Sequence, residues 1–177
     1  MNEEGYGRFA TFSSTPFAEG RFRKAYKGTW KKPWWDAGRE CVAKECKTNY
    51  TWKPTDWDTT LKVTAKAKEL ASAFNTKSDT NRPITYTDVH VLKIVEDRDP
   101  QRGPKLNEYV TCEDYIEGKY EKWCNNYGYV CQDDSYSSMP GFMHWSWWYT
   151  DGELMIADLQ GVRKDDSYLL TDPAIMS

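Results

Sequence analysis

The feature that most constrains the fold is a single long stretch with helical spacing, residues 58–75, set among short segments that read as strands. Leu61, Ala65, Leu70 and Phe74 recur near the helical period, Asp58 stands where an N-cap belongs, and Asn75 can close the helix. Upstream, residues 23–30 and 40–47 read as strands around a Trp- and Lys-rich loop, 31–38, broken by Pro33. Downstream, 89–95 and a stretch near 109–112 read as strands, with a hairpin-like loop at 97–106 between them. Beyond Gly118 the texture shifts to shorter elements, a helix around 143–148 and an apolar strand at 154–159. This is an α+β order with a boundary near 113–118. It divides the chain into an extension 1–15, a first lobe 16–112, a linking segment 113–118 and a second lobe 119–177.

Composition excludes some classes of function. A formal net charge of −3 gives the molecule as a whole no electrostatic reason to seek nucleic acid or anionic lipid. The five cysteines (Cys41, Cys46, Cys112, Cys124, Cys131) form no Cys-x-x-Cys pair, so a zinc site made of them alone is not expected. Residues 1–20 contain no apolar run of the kind that opens a secretory signal, and no stretch reaches membrane-span length. Free thiols in a reducing, cytoplasmic setting are expected. Nine Trp and twelve Tyr are well above the ordinary share, and large core side chains account for such an excess. They leave open a stacking surface built on Trp30, Trp34, Trp35, Trp145, Trp147 and Trp148, a binding module without catalysis.

Three local features carry chemistry. Gly20 precedes the basic strand that starts at Arg23, a turn that can cover phosphates or simply reverse the chain. Lys44 interrupts an apolar strand, Val42-Ala43-Lys44, and a lysine facing inward needs an anionic partner. By alternation it can equally face solvent. Asp158 and Gln160 end a buried strand on one face, with Asp172 following in an Asp-Pro turn, a set of oxygens suited to a hard divalent cation or to a polar strand end. In this order (glycine turn, strand lysine, helix, linker, acid and amide at a strand end) they are the parts that phosphoryl transfer requires.

The stretch Glu113-Asp-Tyr-Ile-Glu-Gly-Lys-Tyr120, with Lys122 and Asn125-Asn126 behind it, closely resembles the hinge signature of the alpha-kinases. These atypical protein kinases include elongation factor 2 kinase, the myosin heavy chain kinases and the channel-linked kinases. Ala157-Asp-Leu-Gln-Gly-Val162 and Leu170-Thr-Asp-Pro-Ala-Ile175 resemble the family's second signature, and Phe142-Met-His-Trp145 its upstream helix. The Gly20–Arg23 turn, the Lys44 strand and the helix ending Ala73-Phe-Asn75 resemble its first lobe, so the likeness runs from about Pro16 to Ser177.

The resemblance implies a two-lobed protein-kinase-like fold, with an antiparallel first-lobe sheet packed by the 58–75 helix and a cleft at 113–118 that Lys44 faces. It also implies an ATP- and magnesium-dependent Ser/Thr protein kinase acting on another protein. In that scheme Gly20, Arg23 and Lys44 hold the triphosphate, and the backbone of Glu113 and Ile116 meets adenine. Asp158 orients or deprotonates the accepting hydroxyl, and Gln160 and Asp172 bind magnesium. His144 falls where the family keeps its first zinc ligand.

The sequence departs from the pattern in three places. The glycine-rich loop and His-x-Cys-x-x-x-Cys segment that follow in the family are not in this sequence, so the resemblance implies an incomplete second lobe and no zinc at His144. Phe142, Trp145 and Trp148 are then expected to lie exposed, a patch open to self-association. The 161–170 stretch is longer than in familiar members. Lys66 stands where an acid is usual, leaving Glu69 as a candidate partner for Lys44. An inactive nucleotide-binding domain of the same fold remains the alternative.

Overall fold

The computed structural model describes residues 7–78, 80–96, 103–131 and 138–177, so residues 97–102 of the expected loop lie outside the described residues. Packing divides the chain into two compact units. One comprises Met1–Thr59 and Asp88–Tyr115, the other Thr60–Thr87 and Ile116–Ser177. The segment 60–87 is grouped with the C-terminal part of the chain.

The first unit is built on strands β1 (Phe9–Phe12), β2 (Ala18–Glu19), β3 (Arg23–Lys32) and β4 (Glu40–Cys46), later joined by β6 (His90–Lys93) and β7 (Tyr109–Asp114). They form one antiparallel sheet ordered β1-β3-β4-β7-β6, with β2 pairing on β3. The 1–15 stretch, read as an extension, thus supplies an edge strand. Alternation puts Tyr26, Trp30, Cys41, Ala43, Val110 and Cys112 on one face, where they form the unit's buried apolar clusters. Arg23, Lys27, Val42, Lys44, Thr111 and Glu113 occupy the opposite face.

The second unit contains α1 (Asp58–Lys77) from Thr60 onward, β5 (Ile84–Tyr86), β8 (Tyr120–Lys122), α2 (Ser138–Tyr149) and strands β9 (Met155–Ala157) to β12 (Ala174–Met176). Between these last two lie β10 (Gln160–Arg163) and β11 (Tyr168–Leu170). One sheet is ordered β5-β11-β10-β8, with β5 parallel to β11, and β12 pairs with β9. Helix α1 does not begin at a cap on Asp58. A 3₁₀ turn, Pro54–Trp57, precedes it, and there the Lys53 N–H donates to the Asp56 carboxylate at 2.9 Å.

The buried face of α1 is Thr64, Ala67, Leu70, Ala71 and Phe74, while Ala65 is exposed and Leu61 half-buried. That face joins a core with Ile84, Trp123, Met139, Phe142, Leu159 and Tyr168. Its apolar stripe belongs to the core of the second unit. Asn75 does not end the helix, which runs on to Lys77. Its amide instead grips the backbone of Ile84, donating to the carbonyl at 2.8 Å and accepting from the N–H at 2.9 Å. A side chain thus completes the pairing of the edge strand β5.

Candidate functional site

In the first unit the site is built around Lys44. The residue is 7% exposed, so an unpartnered ammonium there would be costly. Its Nζ forms an ion pair with the carboxylate of Glu113, itself 4% exposed. Register explains the meeting: Val42 pairs with Glu113 and Lys44 with Thr111, so the two charged residues lie diagonally on one face of β4 and β7. The Lys44 partner is thus a side chain 69 positions away in a residue for which the sequence suggested only a backbone role. Glu69, the candidate from sequence, meets Lys66 at 2.8 Å on α1.

Arg23 shares this face, with its guanidinium 5.5 Å from the centre of the Trp57 ring, whose indole N–H donates to the Tyr109 carbonyl at 3.0 Å. Lys27 lies on the same face, its Nζ 4.0 Å from the centre of the Tyr115 ring. Arg23, Lys27 and Lys44 thus share one sheet surface with two carboxylates, Glu113 paired with Lys44 and Glu40 3.4 Å from Lys27. Cys46 adds a thiol to that face beside Arg23. Partial burial raises its pKa, but hydrogen bonds from the Thr48 side chain and the Thr48 and Asn49 backbone, with the Arg23 charge, bring it below the ordinary thiol value. Gly20 lies in the tight β2–β3 turn, its N–H donating to the Arg23 carbonyl at 2.9 Å and its carbonyl accepting from Lys47 at 3.2 Å.

One residue on this face escaped sequence reasoning. Thr111 is 2% exposed, sits directly opposite Lys44, and its hydroxyl has no hydrogen-bond partner among the described residues. Nothing in the pattern Tyr-Val-Thr-Cys-Glu marks it out, because orphan status depends on what surrounds it in three dimensions.

In the second unit, Asp158 follows β9 and Asp172 precedes β12, and the Ala157–Ala174 pairing brings both to one end of the β9–β12 ribbon. Both adopt left-handed backbone, φ 53° and 48°, which costs a non-glycine residue about 1–2 kcal/mol and is least unfavourable for Asp and Asn. Gln160 starts β10; its side-chain amide donates to the Asp172 backbone carbonyl at 3.4 Å, and its backbone carbonyl accepts from Thr171 N–H at 3.1 Å. Lys122 of β8 sets its Nζ 2.8 Å from Asp158 Oδ1, a close ion pair rather than an aligned hydrogen bond. The structure therefore gathers Asp158, Gln160 and Asp172 and adds Lys122.

The glycines of the two signatures shape this region. A Cβ on Gly161 would lie 2.1 Å from the Leu169 carbonyl oxygen, and one on Gly118, at φ +129°, would lie 2.6 Å from Val162 Cγ1. Asn125 folds the loop after β8, accepting the N–H groups of Tyr127 and Tyr129 at 2.8 and 2.9 Å. Ile116 is half-buried at the start of the second unit's C-terminal segment.

His144 lies exposed on α2, and among the described residues no group of three or more His, Cys, Asp or Glu is placed to hold a metal. The expected exposure of Phe142 is corrected: it is fully buried and stacks at a tilt on Phe74, 5.1 Å between centroids. Trp145 packs edge-on against Phe74 and stacks on Tyr149, whereas Trp148 is 73% exposed. Trp30 is fully buried, its N–H donating to Asp114 at 2.8 Å, which removes it from any stacking surface.

The profile of the Alpha-kinase family matches residues 18–177. Myosin heavy chain kinase C of Dictyostelium discoideum is 33% identical over 167 residues, covering 93% of this chain and 19% of that protein. An alpha-kinase from Entamoeba histolytica superposes with a TM-score of 0.75 at 22% identity, over 94% of this chain and 64% of the other. The inactive alpha-kinase domain of myosin-II heavy chain kinase A, solved with ATP, superposes at 0.76 and 20% identity, over 95% and 75%. The chain spans about a fifth to a quarter of the length of the first curated relatives it matches.

Proposed function

This chain belongs to the alpha-kinase family, and on that premise we propose that it is an ATP- and magnesium-dependent Ser/Thr protein kinase domain acting on another protein. The observation that carries the reading is the buried Lys44–Glu113 pair on a face shared with Arg23. A buried ammonium held in place by a carboxylate is oriented in advance for an anion, so little reorganisation is needed when a triphosphate binds. Lys44 and Arg23 hold the phosphates, Gly20 lies in the turn that covers them, and the backbone at Glu113 and Ile116 meets adenine.

Asp158 accepts a hydrogen bond from the substrate hydroxyl and takes its proton as the oxygen attacks. The new bond forms between that oxygen and the γ-phosphorus, the bond to the β–γ bridging oxygen breaks, and ADP departs. Lys122 keeps the Asp158 carboxylate turned toward its task. The donor set at the β9–β12 end is all oxygen, two carboxylates and an amide, which fits a hard cation better than zinc. Gln160 and Asp172 would hold magnesium, which would supply charge neutralisation for the transferred phosphate. His144 receives no role in this scheme. Five free thiols favour a reducing, cytoplasmic setting.

The test is phosphate transfer from ATP to a basic protein, set beside ATP-dependent thermal stabilisation. Asp158→Ala should lose about a hundredfold or more in transfer while stabilisation by ATP persists. Unchanged transfer in that variant would overturn the role of Asp158, and stabilisation without transfer in the wild type would make the chain a nucleotide-binding domain only.

A further inference from the structure

Single apolar side chains on a surface need no explanation, but two neighbouring indoles displayed on a braced turn do. Trp34 is 79% exposed and Trp35 55%, their rings edge-on with centroids 5.8 Å apart. They occupy the turn that joins β3 to β4, and that turn is tied down from within. The Asp36 N–H donates to the Pro33 carbonyl at 3.0 Å, and the Gly38 N–H to the Trp30 carbonyl at 2.9 Å. The Asp36 carboxylate, 4% exposed, accepts from Arg8 at 2.7 Å and from Arg39 at 2.6 Å, and Arg39 also reaches Asp114. The acid of the turn is thus turned inward and spent on its own bracing. Lys31 and Lys32, the last residues of β3, are exposed. Successive strand residues point to opposite sides of a sheet, so positive charge flanks the two indoles on both sides.

We propose that the β3–β4 turn is a contact for an anionic lipid surface, with Trp34 and Trp35 entering the headgroup region and Lys31 and Lys32 meeting the lipid charges. The chemistry of both residue types favours it: indole rings settle at the membrane–water boundary, and lysines beside them gain from an anionic leaflet. Charge placement favours a plane over a protein partner. A plane met end-on engages the lysines on both sides of the turn, whereas a partner laid on one side would leave one of them unused. The chain as a whole carries −3, so the rest of the molecule is repelled by the same surface and the turn is the end that approaches. Two rings and two charges make a weak, reversible contact that is sensitive to salt. The inference stands apart from the reading of the Lys44 face as a nucleotide site.

The test is sedimentation of the full chain with vesicles of equal parts phosphatidylcholine and phosphatidylserine, set beside vesicles of phosphatidylcholine alone. The wild type should pellet with the anionic vesicles, remain in solution with the neutral ones, and be released from the anionic ones as salt is raised. Trp34→Ala should bind about tenfold more weakly with unchanged thermal stability, because the ring packs mainly against water. Lys31→Gln and Lys32→Gln should each weaken binding about fivefold. A wild type that stays in solution with anionic vesicles overturns the proposal, as does equal binding to the neutral ones. Unchanged binding by Trp34→Ala overturns it too. Sedimentation velocity and a soluble polyglutamate supply the rival outcomes. Trp34-dependent self-association in place of vesicle binding would make the turn a contact between copies, and Trp34-dependent binding of polyglutamate in its place would make it a site for an acidic protein.

Discussion

The Lys44–Glu113 pair permits a quantitative test. Both side chains are nearly enclosed, 9% and 6% exposed, so each charge depends on its neighbour rather than on water. Glu113→Ala leaves the Lys44 ammonium buried without this carboxylate, and Lys44→Met leaves the Glu113 carboxylate without this cation. Each should cost about 3–5 kcal/mol, the usual penalty for breaking a buried pair by removing one member. For a chain of this size that corresponds to a fall in Tm of roughly 6–20 °C. The double variant Lys44→Met/Glu113→Leu removes both charges, and replacing a whole buried pair by apolar groups is often neutral. It should therefore be more stable than either single variant, a strong coupling in a double-mutant cycle. Urea and thermal denaturation followed by circular dichroism supply the four stabilities. Single-variant losses below about 1 kcal/mol would refute the reasoning, because that is the size of a solvent-screened surface pair. Additive losses in the double variant would refute it as well. ATP stabilisation should be absent whenever Lys44 is replaced, even in the recovered double variant, which separates binding from folding.

Three further outcomes follow from local geometry. Asn75→Ala removes both side-chain bonds to Ile84, a residue 1% exposed, and should cost roughly 2–3 kcal/mol, with faster hydrogen exchange at the Ile84 amide; slow exchange retained there would count against it. Gly161→Ala forces a Cβ against the Leu169 carbonyl at 2.1 Å and should destabilise by more than ~3 kcal/mol in thermal denaturation; near wild-type stability would show that β10 and β11 can part without loss. Burial, with the nearby Arg8 charge, lowers the pKa of His90 below its usual 6.5 despite Asp88, Asp114 and Asp36, so its neutral form is favoured in the fold. That contribution is fully present above pH 6.5 and is lost as pH falls from there through the folded value, since the unfolded chain takes up the proton first. His90→Gln should flatten the stability profile in that window, and an unchanged profile would contradict the assignment.

The strands that pair with close sequence neighbours were legible in the order of residues alone. Residues 23–30 and 40–47 read as strands on either side of a Pro-broken loop, and the strands found, Arg23–Lys32 and Glu40–Cys46, follow them within two residues. The existence of α1 was legible in apolar residues near the helical period from Leu61 to Phe74. The order of signatures around Glu113, Asp158 and Asp172 was legible as chemistry, because each residue type carries its possible roles wherever it is placed.

Tertiary structure decided what depends on partners far away in sequence. Strands β5, β8, β9, β11 and β12 are three residues each, too short for alternation to register, and β5 pairs in parallel with β11 across 84 positions. Which stripe of α1 is buried was decided by the core it meets, so Ala67 and Ala71 face inward and Ala65 does not. The choice of Glu113 as a partner for Lys44, and the orphaning of the Thr111 hydroxyl, follow from one register between β4 and β7. A shift of one residue would turn Glu113 to the other face. Side-chain type is a property of the chain, but burial and partnership are properties of the register, and the energy that sets the register comes from the whole core at once.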